Sequence, residues 1–140
     1  MKLTEITAYS EKVHELVEQF LSQLSSTPHP ISEAYLKEII ESSNSFLLFL
    51  ECKTTPIGML TISIHLAPTG RKVWIEDVVI DKAYRGKGYG KELLEKAIVF
   101  AQERGLTSFL LTSRPSRKAA NALYRSLGFE QKETNCYVMK

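Results

Sequence analysis

The sequence predicts a mixed α/β domain. One sheet is built as an antiparallel meander followed by a parallel β-α-β unit, and about four helices flank it. Three observations predict this. The apolar period is helical up to residue 40, strand-like from 46 to 80, and alternately helical and strand-like beyond. Three β-rich stretches, 46–51, 57–66 and 72–80, are joined by short turn sequences, as antiparallel neighbours are. Residues 73–112 then read strand, helix, strand, a connection that joins parallel strands.

Taken in order, residues 3–9 alternate weakly and open the sheet. Ser10 is placed to N-cap residues 11–24, where Val13, Leu16, Val17, Phe20, Leu21 and Leu24 recur at helical spacing. SSTPHP (25–30) breaks that helix, and Ser32 caps a second with Tyr35, Leu36, Ile39 and Ile40 on one face. The meander follows, its turns CKTTP and APTGR. A helix from about Gly88 to Glu103 carries Leu93, Leu94, Ala97, Ile98 and Ala101, and Gly105 ends it. Residues 108–112 read as a short buried strand. Ser116 is expected to cap a last helix over 117–127, stopped by Gly128, and CYVMK (136–140) to form a final strand.

At 140 residues the chain is expected to form one domain, 1–140, with a core that needs no disulfide or metal. Its apolar and charged content, 44% and 24%, is that of soluble globular proteins. The opening MKLTEITAYSEK has no apolar signal core, and no apolar run approaches the ~20 residues of a membrane span. Cys52 and Cys136 are isolated, which suggests reduced thiols in a cytoplasmic protein and no metal site. His14, His29 and His65 are scattered and read as structural or exposed. Charge is uneven: residues 1–80 hold six Lys/Arg against ten Asp/Glu, residues 81–125 ten against four. A basic half on a nearly neutral chain suggests an anionic ligand held locally.

DKAYRGKGYGKELLEKA (81–97) shows where. Gly86, Gly88 and Gly90 stand where a helix is about to begin, although glycine costs about 1 kcal/mol against Ala inside a helix. A strand that turns into a helix N-terminus presents unpaired N–H groups and partial positive charge to an anion. Glycines there permit close approach, and Arg85, Lys87 and Lys91 add formal charge. The dinucleotide fingerprint G-x-G-x-x-G and the P-loop pattern G-x-x-x-x-G-K-[ST] both fail on spacing and context.

Arg85-x-x-Gly88-x-Gly90 resembles the acetyl-CoA motif (Q/R-x-x-G-x-G/A) of the GNAT acetyltransferase superfamily. WIEDVVIDKAYRGKGYGKELLEKAIVFAQERG is similar to that family's central strand, pyrophosphate loop and following helix, and SRKAANALYRSLGFE to its later segment. The resemblance covers residues 72–130 and is topological before that. It implies an acetyl-CoA-dependent N-acetyltransferase that moves an acetyl group directly to a primary amine. It implies that the main chain of Val78, Val79 and Ile80 pairs with the pantetheine arm. The diphosphate would rest on the N–H groups of Arg85, Gly86, Lys87, Gly88, Tyr89, Gly90 and Lys91. Tyr124 matches the tyrosine that hydrogen-bonds the departing sulfur, and a phenol of pKa ~10 is protonated at neutral pH. Asn121, one turn earlier, would share its face and bond the pantetheine amides. Ser116, Arg117 and Lys118 are candidates for the CoA phosphates.

Strand alternation separates Glu76 from Asp77 and places Glu76 beside Trp74, Val78 and Ile80. Glu76 matches the family's base position better; Asp77 and a water chain are the alternatives. The glycine stretch also looks like that of glucosamine-phosphate N-acetyltransferases, but LLTSRPSRKAANALY lacks the acidic residue those enzymes carry there. A non-catalytic acyl-CoA-binding module remains an alternative, although such a binder needs neither Tyr124 nor Glu76. The basic half permits a nucleic-acid partner, and no aromatic-basic interleaving supports one. Homodimers occur in the family, and no interface is specified here. Residues 20–45 and the turn 66–71 are expected to shape the acceptor site, and the acidic first half leans toward a cationic amine.

Overall fold

Ser10 and Ser32 cap where the sequence places them. Ser10 Oγ accepts from Val13 N–H at 3.1 Å and opens α1 (Glu11–Leu24), while Ser32 Oγ accepts from Tyr35 N–H at 3.1 Å and opens α2 (Glu33–Glu41). The computed structural model describes residues 1–27 and 30–140, so the reading of His29 lies outside the described residues. β1 (Lys2–Glu5) is shorter than the opening strand expected; β2 (Ser45–Cys52), β3 (Thr55–Ala67) and β4 (Gly70–Ile80) form the meander. A 3-10 turn (Lys82–Tyr84) leads to α3 (Tyr89–Gln102), then β5 (Phe109–Leu110) and α4 (Lys118–Ser126). The strands lie in the order β1-β2-β3-β4-β5, antiparallel except for the parallel pair β4-β5.

Helices cover both faces, which explains why β2 reads as an unbroken apolar run. On one face Leu48, Leu60, Ile62 and Ile75 pack with Leu93, Leu94 and Ala97 of α3 and with Tyr124 of α4. On the other, Leu47, Phe49, Met59 and Val79 pack with Val17 and Phe20 of α1 and Leu36 of α2. The Phe20 and Phe49 rings meet edge-to-face at 5.7 Å.

Three expectations are corrected. First, α4 is not capped by Ser116. Pro115 sits in a turn closed by Arg117 N–H to Arg114 O at 3.0 Å, so Ser116 is spent in that turn and Arg117 becomes the N-cap, without a side-chain bond. Second, CYVMK is not a strand. Residues 130–140 have no regular structure, and Tyr137, Val138 and Met139 are exposed, because an alternating segment becomes a strand only with a ladder partner. Third, β4 does not alternate throughout. Thr61 pairs with Glu76 and Met59 with Val79, so Asp77 and Val78 together face Leu60, and Asp77 takes φ +52°. This bulge reverses the faces beyond it. Ile75 lies on the α3 side while Val79 lies on the α1 side, and Val78 and Ile80 pack toward α3. Glu76 therefore shares its face with Trp74 and Val79, and not with Val78 and Ile80.

β3 approaches β4 closely at Gly58, opposite Ile80. A Cβ there would lie 2.7 Å from Ile80 Cδ1 and 2.9 Å from the Val79 carbonyl oxygen. Gly58→Ala is expected to cost about 1–3 kcal/mol, the scale of overpacking, read as a lower urea midpoint. An unchanged midpoint would show that β4 yields there freely.

Candidate active site

β4 and β5 pair only at Val73–Phe109 and Trp74–Leu110. Beyond Trp74 the strands have no shared ladder, and the sheet opens into a cleft with Ile75–Ile80 on one arm and Leu111–Arg114 on the other. Two cavities occupy it. The smaller, about 300 Å³, is lined by Val78, Val79 and Ile80, by Arg85, and by the glycine turn together with Tyr89. The larger, about 670 Å³, is lined by Glu76 and Asp77 on the β4 arm and by Thr112, Ser113 and Arg114 on the other. The cavities share Leu24, Val78, Arg117 and Tyr124. Tyr124 thus stands where they meet.

The three glycines of the turn serve different physical ends. Gly88, the N-cap of α3, has φ +83° and Gly86 φ +78°, conformations that oppose a side chain, and a Cβ on either would meet nothing within 4 Å. The space before the α3 N-terminus is open. Gly90 differs: its Cβ would contact Leu123 Cδ2 at 3.4 Å and Ile80 Cγ1 at 3.8 Å, so it lets α3 lie close to β4 and α4.

The basic residues divide likewise. Arg85 lines the smaller cavity and donates from Nε to the Ile80 carbonyl at 2.8 Å, which fixes its guanidinium at the end of β4. Lys87 and Lys91 do not line it. The Lys87 ammonium lies 5.8 Å from the Tyr84 ring centroid, and Lys91 pairs with Glu95 one turn on at 3.8 Å.

Tyr124 is 8% exposed, and its ring packs edge-on to Phe129 at 6.1 Å. Burial pushes its hydroxyl above the ordinary phenol value while the Arg117 charge pulls the other way, so the proton stays on at neutral pH. Glu76 is solvent-exposed in the larger cavity. Partial burial and then the Asp77 charge raise its carboxyl above the ordinary carboxylate value, against a smaller lowering by His65.

Asn121 is held by the chain itself: its Nδ2 donates to Arg114 O at 2.9 Å and Arg117 O at 2.8 Å, and it lines neither cavity. Ser116 and Arg117 do line the larger cavity. The turn 66–71 lies at the far end of the β3-β4 hairpin and lines neither, because the cleft opens only after Trp74.

Sequence reasoning missed how α1 joins the site. Gln23 Oε1 accepts from Lys82 N–H at 2.7 Å, and Gln19 Nε2 donates to Asp81 Oδ2 at 3.3 Å. These bonds fasten the C-terminal end of α1 to the turn that precedes the glycines, and Leu24, Ser25 and Ser26 follow directly into the cavity wall. Two glutamines one turn apart on the polar face of α1 were the available signal. Among the described residues no group of His, Cys, Asp and Glu could hold a metal ion, and no helix is long and apolar enough to cross a membrane.

The profile of the acetyltransferase (GNAT) family matches residues 11–129. The Bacillus subtilis (strain 168) protein named Uncharacterized N-acetyltransferase YhdJ is 36% identical over 105 residues, 69% of this chain and 72% of that protein. Mycothiol acetyltransferase of Renibacterium salmoninarum is 36% identical over 104 residues, 70% of this chain but only 31% of that longer protein. In fold, the chain superposes on the aminoglycoside 6'-N-acetyltransferase AAC(6')-Ig of Acinetobacter haemolyticus with a TM-score of 0.76 at 23% identity, covering 100% of this chain and 98% of that one.

Proposed function

The chain belongs to the acetyltransferase (GNAT) family, and on that premise we propose that residues 1–140 form an N-acetyltransferase domain that uses acetyl-CoA to acetylate a primary amine. The observation that carries the reading is the junction of the two cavities at Tyr124. One cavity is suited to the donor and the other to the acceptor, and a protonated phenol stands between them.

The donor side fits acetyl-CoA. The open space at Gly86 and Gly88, before a helix N-terminus, suits a diphosphate, with Arg85 adding charge. The edge of β4 beyond Trp74 has no partner strand, so the main chain at Val78–Ile80 can take an extended amide-bearing arm as a neighbouring strand would be taken. Bound acetyl-CoA supplies an activated thioester with a thiolate as leaving group. Tyr124, which lines both cavities, would donate its proton to that sulfur. Glu76, in the larger cavity, accepts the proton lost by the acceptor amine. The alternative, a binding module without catalysis, gives no use for a phenol at the junction of the cavities with a carboxylate in the larger one.

A raised Glu76 pKa has a signed consequence. A base works only when deprotonated, so kcat should carry a limb that rises with pH through a value above that of an ordinary carboxylate. Glu76→Gln should remove that limb and lower the neutral-pH rate about 10²-fold, measured by thiol release against a panel of primary amines. A variant with the parent's rate and profile would pass the role to Asp77 or to water.

A further inference from the structure

The larger cavity carries two signs of charge, each on its own arm of the cleft. Glu76 and Asp77 lie two and three residues beyond Trp74 on β4, and Arg114 lies four residues beyond Leu110 on the opposite arm, with Arg117 following. Neither arginine has a carboxylate within ion-pair distance among the described residues. Arg117 also borders the donor cavity, whereas Arg114 lines the acceptor cavity alone. Its backbone is fixed: the Arg114 carbonyl accepts from Arg117 N–H at 3.0 Å and from Asn121 Nδ2 at 2.9 Å, so the residue sits on an anchored turn. Beside it Ser113 Oγ is buried without a hydrogen-bond partner among the described residues.

A site for a polyamine or another pure cation would gain nothing from an unpaired arginine, which would repel it. We propose that the acceptor is an amine that also bears an anionic group, its amine directed to the Glu76 arm and its carboxylate or phosphate received by Arg114. Guanidinium presents paired N–H donors that match a carboxylate or phosphate edge, and such charge-assisted bonds fix orientation as well as affinity. A cavity of about 670 Å³ is of small-molecule size. The inference rests on the acetyl-transfer reading and replaces the cationic acceptor suggested by the overall charge of residues 1–80.

Matched acceptors test it: 6-aminohexanoate against hexylamine, phosphoethanolamine against ethanolamine, and spermidine as the polycation, with thiol release as readout. The acid-bearing member of at least one pair should exceed its plain amine about tenfold or more in kcat/KM, and the pair that responds tells carboxylate from phosphate. Arg114→Gln, an exposed turn position whose backbone bonds survive the change, should raise KM for that acceptor about tenfold with kcat within roughly threefold, and Arg114→Lys should recover part of the loss. Preference for spermidine or the plain amines, no turnover of either acid-bearing amine, or an unchanged KM in Arg114→Gln overturns the proposal. Calorimetric titration with acetyl-CoA separates the two levels. Failure among the acceptors with normal acetyl-CoA binding removes this inference alone, and absence of acetyl-CoA binding removes both.

Discussion

Tyr124→Phe is expected to lower kcat about 10²-fold or more, the scale of losing a general acid. The change removes one hydroxyl and keeps the ring, so the contact with Phe129 and the burial against the α3 side of the sheet persist. Affinity for acetyl-CoA should stay near the parent's, because a hydrogen bond to sulfur strengthens only as charge develops there. The measurements are steady-state thiol release and a melting curve. A tyrosine that served packing alone would leave both kcat and the melting temperature near the parent's, because phenylalanine keeps the ring, and that outcome would return the proton donor's role to water.

Gly88→Asp should abolish acetyl-CoA binding and leave the protein folded. At φ +83° the new side chain carries backbone strain of about 1–2 kcal/mol, since L-residues disfavour the left-handed region. No atom within 4 Å of the added Cβ opposes it. The negative charge of aspartate suits the positive end of α3, which offsets part of that strain. The same charge ruins the anion site. The carboxylate competes for the free N–H groups and repels a diphosphate. Calorimetry should show no binding heat, with an unfolding midpoint close to the parent's. Gly88→Asn, similar in shape without the charge, should bind more weakly than the parent and better than Gly88→Asp. Normal binding by Gly88→Asp would place the phosphates elsewhere.

Much of this protein was legible before its tertiary structure. The caps Ser10 and Ser32, the three meander strands, the parallel return and the helix after the glycines all follow from local rules, because period and capping are properties of a few neighbouring residues. Gly88 and Gly90 were recognisable by spacing, and Tyr124 by its resemblance to the family's tyrosine. Other features depend on a partner. Ser116 failed as a cap because a Pro115 turn reached it first, and residues 136–140 failed as a strand because no ladder receives them.

The sequence by itself determined the element order as far as the last helix, the helix N-terminus with its glycines and basic neighbours, and the family. Tertiary structure decided which side chains share a space. One extra residue in β4 at Asp77 reverses the faces, so Glu76 parts from Val78 and Ile80 although alternation groups them. That bulge is counted against the facing strand and is invisible in β4 alone. The short β4-β5 ladder likewise sets where the cleft begins, and so brings Glu76, Arg114 and Tyr124 around adjoining cavities from positions far apart in the chain. Period and capping act within a few residues, whereas register and strand parting are settled by contacts between distant segments.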